Sequence, residues 1–189
     1  QLKLQSTDSI VIGGSPFGVG GTNLAPFSGP PYLGSYGYSP TIVTYNGREC
    51  LRYTNASNII ALNSFDCPLK NGDNYVFTFW AAVSSSTSFL QGAYFNANNS
   101  GVPISNTALN TTFQRYECKG VWVGSIAAAR IHLYPNISSG IYFYIADWKL
   151  ERGTMATDWS PSPQDTVDAI DALDGRLGDV ETRVQVFYQ

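Results

Sequence analysis

The feature that most constrains this chain is a change of periodicity between residues 141 and 184. Near residue 141 the letters IYFYIADWKLER read as a strand, and from residue 165 the letters DTVDAIDALDGRLGDVETRV place apolar residues every three or four positions. The first pattern is typical of a β-sheet and the second of a short heptad helix. Because no long linker separates them, the sequence predicts a β domain displayed in several copies at the head of a coiled coil.

The part before the helix is typical of an antiparallel β-sandwich. Short runs of apolar and polar residues recur between turn signals, and Asn46-Gly47 is a dipeptide suited to a type I′ hairpin turn. Aromatic residues make up 14% of the chain and charged residues only 13%, which favours strands with a neutral polar surface. We expect roughly ten short strands and no helix before residue 163.

Three segments follow from these patterns. Residues 1–20 read as a strand or linker that continues from an upstream element, because the chain starts without Met and has no leader pattern. Residues 21–161 form the sandwich, and residues 162–189 form the oligomerisation helix. Within 15–40 the density of Gly and Pro excludes central sheet, since proline lacks the N–H that a ladder needs.

The helix has a recognisable start and an apolar seam. Ser162 is suited to the N-cap and Pro163 to the first helical position. Arg176 at g and Glu181 at the following e have the spacing of an interchain pair in a parallel coil. The a positions of the seam are Ile170, Leu177 and Val184, and the d positions are Leu173, Val180 and Phe187. The alternative is an amphipathic helix folded back on its own sandwich.

Composition argues against several classes of partner. The net charge is −3 and no Lys/Arg cluster occurs, whereas binding to nucleic acid through phosphates needs a basic patch. No apolar run reaches the ~20 residues of a membrane-spanning helix, so we expect no membrane insertion. The three cysteines have no metal-binding spacing, and we expect free thiols rather than a disulfide framework.

Catalytic motifs are missing from the sequence. The single histidine, His132, lies in an alternating strand without an associated motif, and no nucleophile elbow, P-loop or zinc-protease motif occurs. A glycan hydrolase would need paired carboxylates and an esterase a nucleophile with its base, and neither is evident. We therefore expect a protein without enzymatic activity and without a cofactor. The one exception left open is a structural Ca²⁺, to which Asp147 could contribute a carboxylate.

Aromatic residues are the remaining candidates for a binding site. Sugar-binding sites stack pyranose rings on exposed aromatic side chains and fix the hydroxyls with polar groups. Phe77, Phe79 and Trp80 lie in strong strand patterns and are expected in the core. The candidates for carbohydrate contact are Tyr32, Tyr36, Tyr38, Tyr94 and Trp122, with Arg130 and His132 as polar partners.

The end of the sandwich resembles a known type of domain. The letters YIADWKLERG at 144–153 and ATDWSP at 156–161 are similar to the closing stretch of carbohydrate-binding-module-like domains in bacteriophage tail proteins and prophage tail fibres. Shorter supporting fragments are GTNL at 21–24, YVFTFWAA at 75–82 and FQRY at 113–116. The long Gly/Pro/Tyr loop after Leu24 departs from the pattern.

The resemblance implies a jelly-roll sandwich of the galactose-binding type carried on a homotrimeric fibre. It also implies a non-catalytic role in the virion tail, assembled in the bacterial cytoplasm. In that setting the partners would be a host surface polysaccharide and other phage tail proteins. A structural connector that only joins or spaces fibre segments is the alternative that the sequence leaves open.

Overall fold

The computed structural model describes residues 10–12, 15–17, 21–25, 35–36, 40–54, 60–65, 67–85, 89–95, 100–102, 107–122 and 129–186. These residues form thirteen strands and one helix. The strands are β1 (Ile10–Ile12), β2 (Ser15–Phe17), β3 (Ser35–Tyr36), β4 (Thr41–Tyr45), β5 (Arg48–Thr54), β6 (Ile60–Phe65), β7 (Asn74–Val83), β8 (Phe89–Phe95), β9 (Ser100–Val102), β10 (Thr107–Ala108), β11 (Gln114–Val121), β12 (Ala129–Asn136) and β13 (Tyr142–Arg152). The helix α1 spans Pro163–Val186.

The strands pair into one hairpin and two larger sheets. β1 and β2 form the hairpin, and the five-stranded sheet has the order β11-β7-β13-β5-β4. The six-stranded sheet has the order β10-β8-β12-β6-β3, with β9 also paired to β8. All described pairings are antiparallel. From β5 to β8, and again from β11 to β13, successive strands alternate between the two sheets, which is the topology of a jelly roll.

The core lies between the two sheets. From the five-stranded sheet it receives the large side chains of β7 and β13, among them Phe77, Phe79 and Phe143, which are fully buried. Leu133 of β12 enters the same cluster from the opposite sheet. Each large apolar side chain buried here contributes on the order of 1.5–3 kcal/mol. The predicted all-β sandwich with a C-terminal helix is thus confirmed, as is the core position of Phe77 and Phe79.

Two local features follow the sequence closely. Asn46 and Gly47 form the turn between β4 and β5, with φ of 48° and 76°. Both values are positive, as a type I′ turn requires, and glycine adopts such a conformation without steric cost. The strand β3, which lies in the Gly/Pro-rich segment, contains only two residues and occupies an edge of its sheet.

A β-bulge interrupts β13 at Asp147. Ala146 pairs with Trp80 and Lys149 with Thr78, so one extra residue is inserted in β13. Asp147 has a φ of 48°, in the left-handed region that aspartate tolerates better than most residues. Because side chains alternate along a strand, the extra residue leaves Asp147 on the outward face with Ala146 and returns Trp148 to the core.

The helix α1 begins at the predicted cap. The backbone N–H of Asp165 donates to Ser162 Oγ at 3.1 Å, and the Asp165 carboxylate accepts from the N–H of Ser162 at 3.0 Å. This reciprocal capping box satisfies N–H groups that the first helical turn leaves unpaired. In the described part of the chain no helix combines the length and the apolar character needed to cross a membrane.

Candidate functional site

The outward face of the five-stranded sheet carries an unusual concentration of rings and charges. Strand register puts alternate residues of β4, β5, β7 and β13 on this face, away from the core. Part of the face is open, and we call this part the aromatic face. Its members are Tyr45, Arg48, Arg52, Trp80, Phe113, Tyr142, Tyr144 and Asp147.

Small side chains form the floor of the aromatic face. Cys50, Ala82 and Ala146 are buried on three neighbouring strands and pack together with Tyr144. Their small size leaves room for the ring of Tyr45 to lie across the sheet. This ring stacks on Tyr144 with centroids 3.9 Å apart and an interplanar angle of 6°.

Hydrogen bonds hold Tyr45 in this position. Its hydroxyl donates to the carbonyl oxygen of Thr111 at 3.0 Å and lies 3.3 Å from that of Val83. Asn46 Nδ2 also donates to the Thr111 carbonyl at 2.8 Å. The β4–β5 hairpin is thereby attached to the loop before β11, and the ring of Tyr45 has little freedom to move.

A charged pair lies among the rings. The guanidinium of Arg48 forms an ion pair and hydrogen bond with Asp147, and it lies 4.4 Å from the ring centroid of Trp80 and 5.5 Å from that of Phe113. Both charged side chains remain partly exposed, at 32% and 25%. Burial raises the pKa of Asp147, while the Arg48 guanidinium opposes that increase. The bulge in β13 is what brings the carboxylate to this position.

Arg52 lies at the other side of the aromatic face. It pairs in register with Tyr144 on β13 and with Thr41 on β4, and its guanidinium is 5.0 Å from the ring centroid of Tyr142. Tyr142 is 37% exposed. Among the described residues the guanidinium of Arg52 has no ion-pair or hydrogen-bond partner, and its Nε is buried. Here the face presents an exposed ring beside an uncompensated cation.

Residues 153–161, which we call the closing segment, cover the adjoining half of the outward face. Lys149 and Glu151 point outward from β13 but are 1% and 0% exposed, with 3.2 Å between Nζ and Oε1. Lys149 Nζ donates to Thr157 Oγ1 at 2.8 Å and to the carbonyl oxygen of Asp158 at 2.7 Å. Glu151 accepts from the backbone N–H of Thr157 at 3.1 Å and from its hydroxyl. Both buried charges of this half, Lys149 and Glu151, therefore have partners supplied by the chain itself.

Asn23 joins the closing segment to the start of the sandwich. Its Nδ2 donates to the carbonyl oxygens of Trp148 at 3.2 Å and Ser160 at 3.1 Å. Its Oδ1 accepts from the N–H of Leu150 at 3.1 Å. One buried amide therefore connects the beginning of the domain, the bulged strand and the residues that precede α1.

Three of the predicted carbohydrate contacts fall in one row of the six-stranded sheet. Tyr36 pairs with Ala61, and Ala61 pairs with His132. His132 in turn pairs with Tyr94. Tyr36, Tyr94 and His132 stay predictions as ligand contacts.

The other predicted contacts have different outcomes. Trp122 was expected in a binding loop, but it is 1% exposed and packs edge-on against Tyr75 with centroids 5.7 Å apart, so this prediction is wrong. Arg130 lies in β12 at the register irregularity between Ala129 and Ile131. Tyr32 and Tyr38 lie outside the described residues.

Other sequence predictions concern metals and thiols. Asp147 is engaged by Arg48, and no group of three or more acidic, Cys or His residues that could hold a metal occurs among the described residues. A calcium role for Asp147 therefore stays an untested prediction. The three cysteines are free, and burial raises the pKa of Cys118 to about 12 and that of Cys50 to about 11. Such thiols are neutral near pH 7, so they are poor nucleophiles.

The helix seam is exposed where the structure describes its side chains. Ile170, Leu173, Leu177 and Val180 are between 56% and 61% exposed. The alternative in which α1 folds back onto its own sandwich is therefore contradicted for these residues. For Val184 and Glu181 the structure describes the helical backbone, and Arg176 lies on the exposed helix.

Most residues of the aromatic face are not recognisable from the sequence. Trp80 was assigned to the core, but it is half-buried on the outward side, beneath Arg48. A signal for the face does exist in β5, where Arg48, Cys50 and Arg52 alternate with the buried Leu51 and Tyr53. That alternation indicates two long cations on one side of a strand. It does not reveal which aromatic residues of other strands lie beside them.

Comparisons with known proteins give similarities of fold. No protein-family model matches the chain, and no curated protein matches it. Among the solved structures, the CBM22-1 xylan-binding domain of Paenibacillus barcinonensis Xyn10C matches with 11% identity and a TM-score of 0.49, over 65% of this chain and 86% of that one. TmCBM61 in complex with β-1,4-galactotriose matches with 13% identity and a TM-score of 0.46, and the match covers 70% of this chain and 99% of that one. The enzymatically active domain of bacteriophage CBA120 tailspike protein 4 matches with 14% identity and a TM-score of 0.47, over 68% of this chain and 21% of that one.

Proposed function

We propose that this chain is a non-catalytic glycan-binding module, displayed as a parallel homotrimer by α1. The observation that carries the proposal is the aromatic face, where exposed and half-buried rings surround charged groups held in place by stacking and hydrogen bonds. Sugars are bound by rings that contact their apolar faces and by polar groups that bind their hydroxyls. The aromatic face offers both.

Tyr142, which is exposed, is the ring best placed to contact a sugar. Trp80 is half-buried with the Arg48 guanidinium over its ring, so it can contact a ligand only with the part of the ring that Arg48 leaves open. Tyr144 is only 6% exposed under Tyr45, so it supports the face rather than contacting a ligand. The carboxylate of Asp147 and the guanidinium groups of both arginines can accept from or donate to sugar hydroxyls.

The exposed seam of α1 fits a second and a third copy of the same chain. Apolar residues with more than half of their surface exposed are covered when identical helices pack in a coiled coil. The g–e spacing of Arg176 and Glu181 favours a parallel arrangement, and the number three is what the resemblance to tail-fibre domains implies. Three linked sites convert weak single-site sugar affinity into avidity, by about 10²–10⁴ in linked binders.

The setting we propose is a bacteriophage or prophage tail fibre that attaches to a host surface polysaccharide. Support comes from the residues at 144–153 and 156–161, which resemble the corresponding stretch of such domains. In this setting the protein is located in the virion tail, and its partners include other tail proteins.

A glycan array probed with the intact protein tests the binding function. Tyr142→Ala and Trp80→Ala are expected to weaken binding about five- to thirtyfold each, since a ring contact is worth on the order of 1–2 kcal/mol. Val121→Ala is the matched control, because Val121 is an exposed apolar residue of β11 outside the aromatic face. Failure of the wild-type protein to bind any glycan would count decisively against the proposal.

Light scattering tests the assembly. The wild-type protein is expected to have three times the mass of one chain, and Leu173→Glu with Leu177→Glu is expected to give monomers. Asp171→Ser, which changes an exposed position outside the seam, serves as the control. A monomeric wild-type protein contradicts the coiled coil.

A structural connector is the second candidate. It is favoured by the network of Asn23, Lys149, Glu151 and Thr157, which links the sandwich firmly to the segment before α1. A connector would transmit force through that network and would not need the aromatic face. Retention of tail assembly together with absent glycan binding would favour this candidate.

A further inference from the structure

The acidic balance of the chain is concentrated in its helix. Residues 162–189 contain six Asp or Glu and two Arg, whereas residues 1–161 contain nine Lys or Arg and eight Asp or Glu. The sandwich is therefore slightly basic although the whole chain has a net charge of −3. A positively charged binding surface is thus compatible with the acidic composition.

Charges on the aromatic face do not cancel. Arg48 is compensated by Asp147, and Lys149, which lies in the covered half, is compensated by Glu151. Arg52 has no acidic partner among the described residues. On the aromatic face it is the cation that the described part of the chain leaves without an acidic partner.

The surroundings of Arg52 define what that ligand would look like. Its Nε is buried without a hydrogen-bond partner, and its guanidinium lies over the ring of Tyr142, 5.0 Å from the centroid. A guanidinium binds a carboxylate through two parallel hydrogen bonds, with a geometry that an ammonium group cannot reproduce. A pyranose ring packed against the part of Tyr142 that the guanidinium leaves open, next to Arg52, would bring a carboxylate attached to that sugar within reach of Arg52.

We infer that the aromatic face recognises a carboxylate-bearing glycan, with Arg52 receiving the carboxylate and Tyr142 stacking on the acidic sugar. This inference rests on the proposed glycan-binding function and specifies its ligand class as uronic or nonulosonic acid sugars. Neutral glycans would lack the group that compensates Arg52, and leaving a half-buried charge unpaired is unfavourable.

The test uses the intact protein and matched pairs of oligosaccharides. The probes are oligogalacturonate, oligomannuronate and oligosialate, each compared with its own methyl ester, so that the carboxylate charge is the main difference. Binding to at least one acidic probe is expected to weaken at least about tenfold on esterification, as a charge-assisted hydrogen bond is worth about 1.5–3 kcal/mol. Dextran sulfate is included as a polyanion without carboxylates.

Variants connect the effect to Arg52. Arg52→Gln is expected to remove the preference for the acid over its ester. Arg52→Lys is expected to retain part of that preference, since it keeps the positive charge but loses the two parallel N–H donors of the guanidinium. The control Lys119→Gln removes one exposed cation of β11, which is paired with Glu117, and is expected to leave the preference unchanged. Circular dichroism verifies that each variant is folded.

Other outcomes would overturn the inference in distinguishable ways. Binding of neutral glycans that depends on Tyr142 but not on Arg52 would leave the proposed function standing and reject the acidic ligand. Equal binding of dextran sulfate, or an equal loss in Lys119→Gln, would indicate unspecific attraction of polyanions and reject it as well. Absence of binding to every acidic and neutral probe would reject both proposals.

Discussion

The two halves of the outward face of the five-stranded sheet contain similar residue types but use them differently. Under the closing segment, Lys149 and Glu151 are fully buried and satisfied by each other, by Thr157 and by a backbone carbonyl. On the aromatic face, Arg48 and Asp147 are partly exposed, and Arg52 has no acidic partner among the described residues. A charge on this face thus stabilises the fold where the chain covers it, and it is accessible to a ligand where the chain leaves it open.

The largest expected effect comes from breaking the covered pair. Lys149→Met leaves the buried Glu151 carboxylate without its cation, and removing one partner of a buried pair costs about 3–5 kcal/mol of unfolding free energy. Urea denaturation measures this loss. The double variant Lys149→Met/Glu151→Leu should be more stable than the single one, because no unpaired charge remains. A single variant that loses less than about 1 kcal/mol would mean that the covered half does not depend on this pair.

An intermediate effect is expected from removing the ring that closes the floor of the aromatic face. Tyr45→Ala removes a half-buried ring stacked on Tyr144 together with its hydrogen bond to Thr111, and we expect a loss of about 2–3 kcal/mol, below the range for fully buried aromatics. Tyr45→Phe keeps the stacking and should cost about 1 kcal/mol. Equal losses in both variants, measured by denaturation, would show that the hydroxyl rather than the ring stabilises the face.

A smaller effect on stability is expected for the open pair. Arg48→Met should reduce the unfolding free energy by about 1 kcal/mol or less, because both charges are partly exposed and screened by solvent. The same variant should weaken glycan binding, since it removes the cation over Trp80. Measuring Arg48→Met beside Lys149→Met tests whether the open and covered pairs differ in their effect on stability. Similar losses of unfolding free energy in the two variants would mean that they do not.

The smallest expected effect is the pH dependence contributed by Asp147. Burial raises the pKa of its carboxyl above the ordinary value of 3.8, so the folded state holds this proton more tightly than the unfolded state. Protonated Asp147 therefore favours folding, and this contribution is lost as the pH rises through the folded pKa. Relative to Asp147→Asn, the wild-type protein should become slightly more stable as the pH falls towards 4. The opposite slope in paired denaturation curves would mean that attraction to Arg48 outweighs burial.

Local patterns in the sequence were sufficient for several elements of the fold. The Asn46-Gly47 turn, the cap at Ser162 and the start of α1 at Pro163 depend on neighbouring residues alone, and all three are confirmed. The phenylalanines of β7 were likewise placed in the core by their alternation. Each of these features is determined by the conformational preferences or periodicity of a short segment.

The site could not be predicted in the same way, because it depends on contacts between distant segments. Tyr45 and Tyr144 are far apart in sequence, but their rings stack on each other beside the floor of small buried side chains. Trp122 was expected to contact a ligand but is buried, whereas Trp80 was expected in the core but is half-buried on the outward face. Burial depends on what covers a strand and not on the pattern of the strand itself. The row of Tyr36, His132 and Tyr94 also results from strand register.

The sequence by itself determined that this protein is a β-sandwich followed directly by a helix with an apolar seam. Only the tertiary structure decided which half of the outward face is closed. The extra residue at Asp147 reverses the side that the following residues occupy, and the closing segment returns over Lys149 and Glu151. Periodicity is a local property that the sequence displays, whereas sheet register and cover are set by pairing between segments far apart in the chain.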